Sequence, residues 1–148
     1  MLESVSASVT INSAPSAVWT ALTDPGLMVK WMGDPELEIE VLTNWELSSP
    51  IVIRGFHHSK FENKGIVLKY EKEKRLIYTH LSSLSRLPDQ QENYSTLEFI
   101  LTPTANHTLL TLNIENFATE SIRKHLEFYW KTTLNVIKEK IENHLSEQ

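Results

Sequence analysis

Six histidines and no cysteine are the first chemical facts of this chain. Without cysteine there are no thiolate nucleophiles, thiolate metal sites or disulfides. The adjacent pair His57-His58 suggests a chelate, but neighbours on an extended strand point to opposite faces, so the pair reads as a solvated turn. His80, His107, His125 and His144 fall in different elements without HExxH-type spacing, so no metal site is expected. With four glycines there is no nucleophile elbow, Gly-rich phosphate loop or dinucleotide fingerprint, and no cofactor is expected. Acid–base chemistry is left to Arg54, Tyr78, His80 and Glu98, and Glu98 is expected to face outward if Leu97 and Phe99 face in. No residue is therefore assigned a catalytic role.

The elements that must position these side chains follow from periodicity. Between Thr119 and about Leu145, apolar residues recur at Ile122, Leu126, Tyr129, Trp130, Thr133, Leu134, Ile137, Ile141 and Leu145, the spacing of one helix face. That face carries too much apolar surface for an isolated helix and requires a broad sheet to cover it. Ser4–Ile11 alternates apolar and polar residues and predicts a half-buried strand. Pro15 then opens a short helix carrying Val18, Trp19 and Leu22 inward, Asp24-Pro25-Gly26 breaks it, and Leu27–Trp31 forms a second short piece. Strand-like segments follow at Glu38–Trp45, Pro50–Phe56, Lys64–Tyr70, Arg75–Leu81, Tyr94–Pro103 and Thr108–Phe117. Their short connections require an antiparallel meander. Ser82–Asn93 is expected to be a mobile rim loop. The expectation is an α+β arrangement of six to seven antiparallel strands, curved around the long C-terminal helix.

With 148 residues, 41% of them hydrophobic, the chain is expected to form one domain over residues 1–148. Nineteen acidic against 14 basic residues give a formal charge of -5, which argues against a nucleic-acid partner. No apolar run approaches membrane-spanning length, and MLESVSAS carries neither a basic leader nor a signal-like segment, so a cytoplasmic protein is expected. An exposed edge strand leaves room for a homodimer.

Several stretches together resemble one superfamily. They are VTINSAPSAVWTALTDP, the WMG that follows, WELSSPIVIRG, NKGIVLKYEKEKRLIYTHLSSLS, ENYSTLEFILTP, HTLLTLNIENF and YWKTTLNVIKEKIE. Their order and spacing are similar to those of the START-related, birch-pollen-allergen-like (SRPBCC) superfamily, whose fold is the helix-grip. Within it they resemble bacterial proteins similar to the C-terminal domain of the activator of heat-shock-protein-ninety ATPase. The likeness runs over nearly the whole chain. Two positions depart from it, with Ser48 in the turn before the third strand and Arg86 in the long loop where relatives carry glycine.

The resemblance implies a partial cavity between sheet and helix that binds a hydrophobic or aromatic small molecule, without catalysis. It turns Leu76, Tyr78 and His80 toward the cavity and selects Ile66, Leu68 and Tyr70 on the strand before. Leu97, Phe99, Leu101, Leu110, Leu112 and Ile114 line it from later strands, and Tyr129, Trp130 and Thr133 from the helix. Arg54 is either a polar anchor for an anionic ligand or a surface residue. Two other activities are consistent with the family. One is a cyclase- or dehydratase-like reaction using Tyr78 and His80, the other stimulation of a stress-related chaperone partner's ATPase through the outer surface.

Overall fold

The computed structural model describes residues 3–146, with side chains placed up to Asn143 apart from that of His57. Seven strands form one sheet in the order β1-β7-β6-β5-β4-β3-β2, and every paired neighbour is antiparallel. They are β1 (Val5–Ile11), β2 (Glu40–Leu42), β3 (Pro50–His57), β4 (Ser59–Glu71), β5 (Arg75–Ser82), β6 (Ser95–Pro103) and β7 (Thr108–Glu115). Helices α1 (Pro15–Thr23) and α2 (Pro25–Met32) follow β1, and α3 (Glu120–Ser146) ends the chain. The α+β arrangement expected from the periodicity, and the helix-grip that the resemblance implies, are found.

Helix α3 lies against the sheet through Leu126, Trp130, Thr133, Leu134, Ile137 and Ile141, all buried, while Phe128 is 76% exposed on the other face. Asp24 is the extended residue that breaks the two short helices, and α2 already opens at Pro25, ahead of the expected Leu27. The Asp24 carboxylate accepts the Gly26 N–H at 2.8 Å and caps α2, with Pro25 in the first turn, where a missing N–H costs nothing. The second strand is also shorter than expected. Glu38 (φ 50°) and Trp45 (φ 59°) are both left-handed, so the extended run cannot pass through either. Ser48 and Arg86, which stand where relatives carry glycine, have φ of 66° and 60°, a region that favours glycine.

The β4–β5 pair departs most from simple alternation. Lys64 pairs with Leu81 and Val67 with Tyr78, but Lys69 pairs with Ile77, so Leu68 is an extra residue in a bulge. Before the bulge Gly65 and Val67 are buried, whereas Ile66 and Leu68 are 43% and 44% exposed. After it the phase is reset, and Tyr70 pairs with the inward Leu76. The inward set on β4 is therefore Gly65, Val67 and Tyr70, and the expectation for Ile66 and Leu68 is corrected.

The long loop is tied down rather than loose. It carries two 3-10 turns, Ser83–Ser85 and Gln91–Asn93. Asp89 pairs with Lys64 at 2.6 Å and accepts the Tyr94 hydroxyl at 2.5 Å, and Asn116 donates to the carbonyls of Glu92 and Tyr94.

Candidate site between the sheet and the C-terminal helix

On β5 the alternation places Leu76 and Tyr78 in the core, at 0% and 3% exposure, and His80 half-buried on the same face. Leu97, Phe99 and Leu101 of β6, Leu110, Leu112 and Ile114 of β7, and Trp130 and Thr133 of α3 are buried beside them. Tyr129 is half-buried, and Tyr70 lies at the rim with 38% exposure. Arg54 is exposed on the convex face, between Glu40 and Glu62 in register, because Ile51 and Ile53 take the inward positions of β3. It is not an anchor inside the grip. Glu98 also faces out, held by the Arg75 guanidinium and the Asn113 amide.

The space between sheet and helix is filled by aromatic rings. Trp19, Tyr70, Trp45, Tyr78, Phe99, Trp130 and Trp31 form a continuous row with successive centroid separations of 5.1, 5.8, 6.2, 5.9, 5.5 and 6.0 Å. Such offset and edge-on pairs are worth about 0.5–1.5 kcal/mol each beyond the area they bury. Two open depressions lie elsewhere, on the outer side of α3 around Phe128 and Val136 and beside Gln90 and Asn116. Tryptophans from α1, α2 and a loop thus reach into the space where the resemblance implies a partial cavity.

The polar groups of this interior are few. The indole N–H of Trp19 is buried without a hydrogen bond. The Tyr129 hydroxyl donates to the Met32 carbonyl at 3.4 Å, and the Tyr129 ring lies over His125 with centroids 6.4 Å apart. Tyr78, His80 and Tyr129 thus gather between β5 and the first half of α3, with the exposed His125 at the rim of the group beside Tyr129. His125 was missed as a member of this group, although it stands four residues before Tyr129 and so shares its helix face. Among the described residues no charged side chain is buried; the buried polar residues there are Ser13, Thr23, Ser95, Thr108 and Thr133.

Burial, reinforced by the charge of His125, pushes the His80 imidazole from 6.5 down to about 4. Burial also raises the Tyr78 and Tyr129 phenols above their ordinary values. Between pH 6.5 and about 4 the unfolded chain holds a proton on residue 80 that the folded protein refuses, so stability falls as pH falls through that window. This term amounts to about 2–3 kcal/mol between neutral pH and pH 4. Urea unfolding at pH 7 and 4.5 should show it in the parent and lose most of it in His80→Gln; an equal acid sensitivity in both would contradict it. Among the described residues no three His, Asp or Glu side chains converge as a metal site. No helix among them is long and apolar enough to cross a membrane.

A curved antiparallel sheet gripping a C-terminal helix, with an aromatic interior and a few inward polar groups, defines the helix-grip class. The model for the family described as activator of Hsp90 ATPase homolog 1-like protein matches residues 12–142, and the chain belongs to that family. The solution structure of ChR145 from Cytophaga hutchinsonii is similar, at 30% identity and a TM-score of 0.81 over 99% of this chain and 98% of that one. The Aha1 dimer of Colwellia psychrerythraea shares the fold at 18% identity and a TM-score of 0.75, covering 95% of this chain and 97% of that one. DynU16, from the dynemicin biosynthetic locus, has 17% identity and a TM-score of 0.75, covering 96% of this chain but 48% of its own. No curated protein matches the sequence.

Proposed function

We propose that this protein binds a neutral, mostly aromatic small molecule between its sheet and α3, and does so without catalysis. The observation that carries this reading is the buried indole N–H of Trp19, which has no hydrogen-bond partner, in an aromatic interior that also holds the Tyr78 and His80 side chains. An unpaired buried polar group costs about 1–3 kcal/mol, and a ligand supplying the missing partner recovers that cost. Neutrality follows from the absence of any buried cation or anion to pair with a charged guest. Proton transfer is poorly served, since a base near 4 and a phenol above its ordinary range are far from the neutral pH at which they would work.

Removing the Tyr78 hydroxyl separates binding from folding. Tyr78→Phe is expected to change stability by no more than about 1 kcal/mol, because the ring that fills the core is kept. Affinity for a hydroxylated planar aromatic should fall about tenfold, the worth of one good hydrogen bond. Parallel thermal unfolding and titration calorimetry measure both; unchanged affinity, or stability lost by more than 1 kcal/mol, would count against the assignment.

A second reading, stimulation of a chaperone ATPase, is favoured by apolar side chains on the convex face. Leu42, Ile66 and Leu68 are each more than 40% exposed there. Its test is ATP hydrolysis by the chaperone with the parent and with Ile66→Ser/Leu68→Ser, and equal rates with and without the protein would dismiss it.

A further inference from the structure

The last carbonyls of a helix have no partner within it and must find one elsewhere. In α1 two of them take indole N–H groups, Trp31 Nε1 donating to the Ala21 carbonyl at 2.8 Å and Trp45 Nε1 to the Thr23 carbonyl at 2.7 Å. The two indoles are held very differently. Trp31 is a helical residue at 4% exposure. Trp45 is half-buried, belongs to the β2–β3 loop, and is left-handed at φ 59°, a conformation that costs a non-glycine residue about 1–2 kcal/mol. Three residues on, Ser48 is left-handed as well, and Leu47 between them is 63% exposed. The end of this loop is anchored, since the Ser48 N–H donates to the Val67 carbonyl and the Val67 N–H to the Ser49 carbonyl. Residues 43–47 fold on themselves, with Thr43 Oγ1 accepting the Trp45 N–H, Asn44 Oδ1 accepting the Glu46 N–H, and Ser49 donating to Asn44 and Glu46, so the indole would move together with this turn about that anchor.

The Trp45 indole lies where a guest would lie. Its ring is 5.8 Å from Tyr70 and 6.2 Å from Tyr78, in the middle of the aromatic row. A flat bicyclic ring with its donor on a helix-terminal carbonyl has both the shape and the polarity of a bound small molecule. We propose that Trp45 is a tethered occupant of the binding seat, displaced by a planar bicyclic aromatic molecule that carries its own N–H or O–H donor. This rests on the ligand-binding reading above and adds what the ligand must be.

The donor requirement comes from the Thr23 carbonyl. When the indole leaves, that carbonyl loses its side-chain partner, and a hydrocarbon of the same shape cannot replace it, whereas a naphthol can. Release of the left-handed backbone at Trp45 offsets part of the cost of opening.

The four indole N–H resonances of 15N-labelled protein, assigned through single Trp→Phe variants, report on this seat directly. Titration with 2-naphthol should move the Trp45 resonance and speed its exchange with solvent at least tenfold, while the Trp31 resonance stays in place. 2-Methylnaphthalene, equal in shape but without a donor, should bind at least tenfold more weakly. Trp45→Ala, with the seat vacated, should bind 2-naphthol at least tenfold more tightly than the parent. If naphthol binds while the Trp45 resonance is unmoved, the tethered-occupant inference is overturned and the ligand-binding reading stands. Equal binding of the two naphthalenes overturns the donor requirement and with it the inference. If neither compound binds the parent or Trp45→Ala, both readings fall together.

Discussion

Gly65→Ala is expected to lower stability by more than about 3 kcal/mol, the upper range for an overpacked site. A Cβ built on Gly65 would lie 1.7 Å from the carbonyl oxygen of Thr79 and 2.4 Å from its carbonyl carbon. Both are backbone atoms of the adjacent strand, so no rotamer change relieves the clash and β4 must part from β5. The requirement is for space and not for conformation, since no glycine of the described chain has positive φ. The β4–β5 register of Lys64 with Leu81 and Val67 with Tyr78, continued through the gap, sets Gly65 opposite His80, so the same change displaces the imidazole. Urea unfolding followed by circular dichroism tests this. A variant within 1 kcal/mol of the parent would mean that the strands do not approach as closely as described.

Trp130→Ala should cost about 3–5 kcal/mol, the usual loss for a large aromatic truncated in a core. Trp130 is 7% exposed and joins three rings, Phe99 at 5.5 Å, Trp31 at 6.0 Å and Tyr129 at 5.2 Å. It connects α3 and α2 to the sheet, so its loss leaves a hole at their junction that the neighbours fill only in part. For a chain of this size the midpoint should fall by roughly 10 °C or more. Phe128→Ala, two residues away but 76% exposed, should change stability by no more than about 0.5 kcal/mol. Calorimetric melting of the two variants side by side checks the contrast, and similar midpoints would contradict the assigned helix face.

The contrast between Trp130 and Phe128 is itself readable from spacing, and so is much of the fold. Alternation in β1, β5, β6 and β7 and the three-to-four repeat of α3 come from burial on one face, which leaves its mark on residue type. The inward positions of Tyr78, Phe99 and Trp130 follow from the same cause. The bulge at Leu68 does not, because an extra residue in a strand shifts the phase without changing composition, and Ile66 and Leu68 are as apolar as core residues while facing water. Trp45 was illegible for a different reason. It sits in a loop without periodicity, and only the Thr23 carbonyl and the rings of Tyr70 and Tyr78 give it a place. Whether the grip is open or filled also escapes the sequence, since a packed core and an apolar chamber use the same side chains.

Titration calorimetry at neutral pH with 2-naphthol and with dodecanoate tests the central claim most directly, that the aromatic interior is a seat for a neutral planar guest. The account predicts saturable one-to-one binding of 2-naphthol and none of dodecanoate, whose carboxylate would find no cation inside. Preference for dodecanoate, or heat from neither compound, would contradict it.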